Sequence, residues 1–280
     1  MIRETGRRKP DIELRKLIPN MLTAAALICG CAAMFYADKG DFARAVTMIG
    51  VSFVLDGLDG RVARFLKATS RFGEKFDSIS DFVCFGLAPG FILYKWQLKE
   101  LEAYGLVLMG VYALCAAYRL ARFTRMARKK DVNAPVSKFF AGMPAPGAAG
   151  AAQIPIMLSL SDLKWQMPIW GTAAVLLLIS VLMVSKLPMI SVKHIRISRK
   201  LAFPLIALFG LIVLLAFKDA WMTFAGLATL YTLSLPLAWV LNKRSAARMA
   251  AAEGQSASAE PTIHVTTAEQ RESRHPKLKI

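Results

Sequence analysis

The sequence predicts an all-α polytopic membrane protein with about eight transmembrane helices, and three observations carry that reading. Of 280 residues, 55% are apolar and only 20% are charged, and the mean hydropathy is +0.43. The charges are bunched, which leaves charge-free apolar runs over 17–36, 82–94, 103–118, 139–161, 165–185, 201–217 and 220–241. An eighth run, 42–55, carries only Arg44. Each run with its flanks approaches the roughly 20 residues that cross a bilayer as a helix. The third observation is the side on which the basic residues fall. With a cytoplasmic N-terminus, the inside segments (1–16, 59–81, 119–138, 186–200 and 242–280) hold 30 of the 36 Lys and Arg. The outside loops hold five: Lys39, Lys95, Lys99, Lys164 and Lys218. This is the positive-inside pattern, and it puts both termini in the cytoplasm. A soluble domain, a disulfide-rich secreted module and a disordered chain are all excluded.

Taken in order, residues 1–16 are a mixed-charge cytoplasmic lead-in, expected to lie as an amphipathic segment on the membrane surface. Residues 17–241 form the transmembrane domain, whose outside loops are short enough to pair successive helices as hairpins. The run 139–161 contains Gly142, Pro144, Pro146, Gly147, Gly150 and Pro155. Its small residues permit close backbone approach and its prolines predict kinks or a broken start, so it is expected to border a cavity. Residues 242–280 lose the apolar pattern and read as a largely disordered cytoplasmic tail. The net charge of +17 would suggest nucleic acid in a soluble protein; here its placement points to anionic lipid head groups instead. Cys29, Cys31, Cys84 and Cys115 all lie in apolar runs, with no metal-binding spacing, and read as small buried side chains.

The chemistry is concentrated between Asp56 and Asp81. Asp56, Asp59, Gly60 and Ala63 fall at i, i+3, i+4 and i+7, on one helical face, and Asp77 and Asp81 share another. A reversing connection brings the two faces together, so that four carboxylates converge at the membrane boundary. Acidic residues at that depth are usually functional, and unpaired anions so close need compensation. All-carboxylate ligation suits a hard divalent cation, Mg²⁺ or Mn²⁺. The alternative is a salt-bridge network with Arg61, Arg64, Lys67, Arg71 and Lys75. Gly57 and Gly60, unfavourable inside a helix, leave room beside the acids. Metal, a free cleft and Arg64 on the same face describe a phosphate-bearing ligand. Two metals roughly 3.5–4 Å apart would clamp an in-line displacement at phosphorus.

D-G-L-D-G-R-V-A-R, eight residues, then G-E-K-F-D-S-I-S-D resembles the CDP-alcohol phosphatidyltransferase family at every fixed position of its pattern D-x-x-D-G-x-x-A-R-x8-G-x3-D-x3-D. Pro19–Thr23, Phe76–Pro89, Arg119–Phe123 and Phe139–Pro146 resemble its phosphatidylserine synthase branch, from which Thr124 departs. The resemblance implies a six-helix core in a homodimer, here with two additional C-terminal helices. It also implies that Asp56, Asp59, Asp77 and Asp81 hold two Mg²⁺ or Mn²⁺ ions, and that Asp81 is the general base. Asn20, Thr23, Gly60, Ala63, Arg64 and Ser70 would contact CDP-diacylglycerol, with Gly73 permitting the turn before the third helix. The implied acceptor is L-serine. Its carboxylate needs a cation, and Arg119 and Arg122, at i and i+3, are the candidates. Two competing readings are the same chemistry with glycerol 3-phosphate, inositol 1-phosphate or choline as acceptor, and a cation transporter using the Asp cluster. A transporter would be expected to hold its acids near mid-membrane on broken helices; these lie at the cytoplasmic helix ends.

Overall fold

The computed structural model describes residues 14–128, 140–185, 188–189 and 199–235. α1 (Leu14–Asp38) and α2 (Phe42–Phe65) form a hairpin packed along most of its length. Its turn passes through Gly40 at φ +79°, and Asp41 caps α2 by accepting from the Arg44 N–H (3.1 Å). A continuous helix from Arg71 to Trp96 comes next. It consists of α3 (Arg71–Asp81), a π-helical segment (Phe82–Leu87) and α4 (Ala88–Trp96). A 3₁₀ turn at Leu98–Leu101 leads into α5 (Ala103–Arg128). Beyond it lie β1 (Phe140–Ala141), α6 (Ala145–Ala152), α7 (Ile154–Leu160), α8 (Ile169–Val184), β2 (Pro188–Met189), α9 (Arg199–Lys218) and α10 (Ala220–Leu235). The two strands pair antiparallel, Phe140 opposite Met189, and are a small exception to the all-α reading. The lead-in up to residue 13 and the tail 242–280 lie outside the described residues.

Leu17–Asp38, Arg71–Trp96 and Ala103–Arg125 are long and apolar enough to cross a membrane, and Ile169–Val184, Ile206–Lys218 and Ala220–Leu235 are shorter apolar helices. The packing is that of a membrane bundle. Large apolar side chains such as Phe35, Leu114, Trp170 and Phe217 point outward. Half of the buried apolar residues among those described are alanines. Such an interior is held by close backbone approach rather than by removal of large side chains from water. Gly30 gives one instance: a Cβ there would sit 2.6 Å from Cys84 Sγ, so α1 touches the π segment only because position 30 has no side chain.

Two expectations are corrected. α2 continues through the acidic residues to Phe65 and the third helix begins at Arg71, so the segment 59–81 is mostly helix. The connection shrinks to Leu66–Ser70, with Lys67 in the left-handed region at φ +51°. The run 139–161, expected as one helix with kinks or a broken start, is β1 followed by two short helices: the single helix is corrected, and the proline break occurs within it. Pro155 has no N–H for the carbonyl of Ala151, and the helix breaks at Gln153. The Gln153 side chain donates to Pro89 O (3.3 Å), which ties the break to the core.

The π segment has a similar origin. Pro89 cannot donate to Phe85 O four residues back. The Ala88 N–H bonds to Val83 O, five residues back, which widens the turn. Tyr112 of α5, fully buried, donates its hydroxyl to Phe85 O at 2.9 Å. At the far end of the bundle, Asp219 accepts from the N–H groups of Met222 and Asp162, both at 2.9 Å. These bonds, the Met222 one foremost, hold its carboxyl below the usual range and tie the start of α10 to the loop after α7.

Tyr112→Phe leaves the Phe85 carbonyl buried without that donor. It should lower stability by about 1–3 kcal/mol, read as a reduced thermal midpoint in detergent. An unchanged midpoint would mean that the bond does not hold the π segment.

Candidate active site

The last turns of α2 and the helix α3 are joined by a five-residue connection and both pack against α1. Their acidic faces meet as the spacing predicts. Carboxylate oxygens of Asp56, Asp59 and Asp77 all lie within 4.8 Å of one another. Asp59 is buried and the other two are half-buried. Asp81 stands beside this triad, with its side chain in hydrogen-bonding reach of Asp56. Its Oδ1 is buried without a partner. α1 supplies the support. The hydroxyl of Thr23 lies 3.1 Å from Pro19 O and 2.5 Å from Asp59 Oδ2. A hydroxyl has one proton, and the charged oxygen is the stronger acceptor. Ser80 Oγ donates to Thr23 O (3.3 Å), so the helix that carries Asp77 and Asp81 is pinned to the turn that orients Asp59.

The salt-bridge alternative does not hold. Among the described residues, no ion pair joins any of the four aspartates to a cation. Arg64 turns back along α2, its Nε donating to Gly60 O (3.0 Å). Two ionised carboxylates in hydrogen-bonding reach, as those of Asp56 and Asp81 are, have no proton to share and need a cation or a bound proton between them. Only hard oxygen donors face the space between them, one of them an orphan. That donor set fits a divalent ion of the Mg²⁺ or Mn²⁺ type and does not suit a soft metal.

On the flank of the triad, Asn20, Ser70 and Gly73 come together. Ser70 caps α3 by accepting from the Gly73 N–H (3.0 Å). Gly73 lies inside the first turn of α3, not at the bend before it, and its role is corrected accordingly. A Cβ there would meet Asn20 Oδ1 at 2.9 Å and Ser70 Oγ at 3.1 Å, so the glycine is needed for close approach. Gly60 faces open space, with no atom within 4 Å of a built Cβ, and the half-buried Ala63 lies one turn on.

The two arginines singled out by spacing part company. Arg119 lies in electrostatic reach of Asp81, and its buried Nε has no partner. Arg122 donates from Nη1 to Val184 O (3.4 Å), one of the orphan carbonyls at the end of α8. Arg125 is exposed, and Lys129, Lys130 and Lys138 lie outside the described residues. Sequence reasoning passes over Tyr231 of α10, whose buried hydroxyl lies in electrostatic reach of Arg119. Nothing in the apolar run 220–241 marks it. An open, apolar groove of about 610 Å³ runs between α3, the start of the π segment and α5, with Ile79, Phe82, Leu120 and Thr124 among its walls and none of the four aspartates.

The family model for CDP-alcohol phosphatidyltransferases matches residues 16–184, which span every residue of this site except Tyr231. The CDP-diacylglycerol–serine O-phosphatidyltransferase of Helicobacter pylori is 35% identical over 219 residues, covering 77% of this chain and 89% of its own. The enzyme of the same name from Mycobacterium leprae is 35% identical over 198 residues, 68% of this chain and 64% of its own. That of Bacillus subtilis is 34% identical over 131 residues, 47% of this chain and 70% of its own. The apolar helices and these likenesses together make the protein an integral membrane protein. The aspartates that converge at the site all lie inside the matched region, and the chain belongs to the CDP-alcohol phosphatidyltransferase family.

Proposed function

We propose that the protein transfers the phosphatidyl group of CDP-diacylglycerol to the hydroxyl of L-serine, giving phosphatidylserine and CMP. The observation that carries this is the convergence of Asp56, Asp59 and Asp77 with Asp81 alongside, in a chain whose relatives are named for this reaction. The four aspartates would hold two divalent ions, Mg²⁺ or Mn²⁺. When bound, these neutralise charge on the diphosphate and on departing CMP. The residues of the chain do the remaining work. Asn20, Thr23, Gly60, Ala63, Arg64, Ser70 and Gly73 bind the CDP moiety along the open side of α2 and the start of α3. Asp81 takes the proton of the acceptor hydroxyl as its oxygen bonds to the phosphorus of the phosphatidyl group. The bond from that phosphorus to the CMP oxygen breaks. A positioned base of this kind contributes about 10²–10⁴-fold. Arg119 faces the acceptor's carboxylate; Arg122 supports the site from the end of α8.

By the same reading the chain spans the membrane eight times, with a six-helix core and two further helices, and works as a homodimer. Both termini and the site are cytoplasmic, which the placement of 30 basic residues in the inside segments supports. The site then lies where a lipid-borne nucleotide meets water. Residues 17–241 form the catalytic domain, with 1–16 and 242–280 as cytoplasmic extensions. A reporter fused after Ile280 should read as cytoplasmic; an external reading would overturn the eight-span topology.

Purified protein given CDP-diacylglycerol should release CMP on addition of serine, and not with glycerol 3-phosphate, inositol 1-phosphate or choline. Release with one of those and none with serine would contradict the acceptor assignment. In the same assay Asp81→Asn should lower turnover by at least about a hundredfold while CDP-diacylglycerol still binds. Equal loss of binding and turnover would make Asp81 a ligand only.

A further inference from the structure

Five buried side-chain polar atoms among the described residues have no hydrogen-bond partner: Ser52 Oγ, Asp81 Oδ1, Arg119 Nε, Gln153 Oε1 and Tyr231 OH. An orphan of this kind is costly and calls for an explanation. Three of the five belong together. The Arg119 guanidinium lies in electrostatic reach of both the Asp81 carboxyl and the Tyr231 hydroxyl. An acid, a guanidinium and a phenol thus succeed one another into the bundle, contributed by α3, α5 and α10.

The Tyr231 hydroxyl is fixed in place by its neighbours. A Cβ on Gly147 of α6 would sit 2.8 Å from Tyr231 Cε1 and 3.1 Å from its oxygen, so the ring lies directly on the α6 backbone. Its helix is anchored at the other end by Asp219. The other hydroxyls in the last turns of α10 bond within the helix: Thr232 to Ala228 O (2.8 Å) and Ser234 to Tyr231 O (2.6 Å). Tyr231 does not, and a buried tyrosine hydroxyl ordinarily finds a partner.

We propose that Tyr231 is an acceptor-binding residue, which with Arg119 grips the carboxylate of the amino-acid acceptor while Asp81 meets its hydroxyl. This rests on the serine reading above and adds to it a group from α10, outside the matched residues 16–184. The chemistry of the three orphans is that of serine. Guanidinium and phenol both donate to a carboxylate, and a carboxylate base accepts from a hydroxyl. Arg122 spends one of its N–H donors on Val184 O (3.4 Å), whereas the Arg119 Nε is unpartnered. An acceptor with no anionic group, such as choline, would leave Arg119 and Tyr231 unpaired on binding, and a site built to bond a polar group rejects analogues that lack it.

The test uses the purified full-length enzyme, with serine titrated at saturating CDP-diacylglycerol, CMP release as the readout and CDP-diacylglycerol affinity measured separately. Tyr231→Phe removes only the hydroxyl. It should raise the KM for serine by about tenfold or more, with kcat changed far less and CDP-diacylglycerol affinity unchanged. Gly147→Ala displaces the ring without touching its chemistry and should move serine KM in the same direction. If Tyr231→Phe does not fold, Gly147→Ala decides by the same measurement. An unchanged serine KM in a variant that binds CDP-diacylglycerol normally overturns the proposal, as does an equal loss of serine and CDP-diacylglycerol affinity. Failure of the wild-type enzyme to release CMP with serine is a separate result: it overturns the serine reading, and this proposal with it.

Discussion

The carboxylates of Asp56, Asp59 and Asp77, gathered within 4.8 Å with Asp81 alongside, repel one another when ionised, and no basic side chain among the described residues forms an ion pair with them. Such an arrangement favours binding of a cation, or of a proton in its place. The surrounding structure keeps the four in place. α1 lies against both acid-bearing helices, and Thr23 and Ser80 link all three through adjacent hydrogen bonds. Five connecting residues, with Lys67 in the left-handed region, reverse the chain between α2 and α3 so that both lie against α1.

The π segment belongs to the same constraint. It begins at the residue after Asp81. One extra residue in a helix rotates the turns on its N-terminal side by about 100° relative to those on its C-terminal side. The stretch from Asp77 to Asp81 can therefore face α2 while Cys84 and Phe85 face inward against α1 and α5. Pro89 withdraws a donor from the regular ladder and Tyr112 replaces it from a neighbouring helix. A local irregularity next to the site is thus stabilised by the core and sets the direction of the site's side chains.

The acidic constellation is legible in the sequence because its geometry is local. Asp56 to Ala63 and Asp77 to Asp81 obey helical spacing, and only one short connection separates them. The apolar runs are legible for the same reason. Features that depend on distant partners are not. The π segment needs Tyr112, 23 residues beyond Pro89 in the chain. The need for a glycine at position 73 arises from Asn20 on another helix, and without that neighbour in view a glycine between two helices reads as a bend. Arg119 and Arg122 look alike by spacing and diverge only because α8 ends beside one of them. Tyr231 sits in an apolar run that reads as a plain membrane helix, and its significance depends on Arg119, more than a hundred residues earlier.

Binding of Mn²⁺ to the purified protein, monitored by loss of the free-ion electron paramagnetic resonance signal, tests the central claim most directly. Wild-type protein should take up Mn²⁺ saturably, Mg²⁺ should compete, and Asp59→Asn and Asp77→Asn should each sharply weaken uptake while the protein remains folded. Uptake that is absent in the wild type, or identical in the wild type and both variants, would contradict the claim that the four aspartates form a metal site.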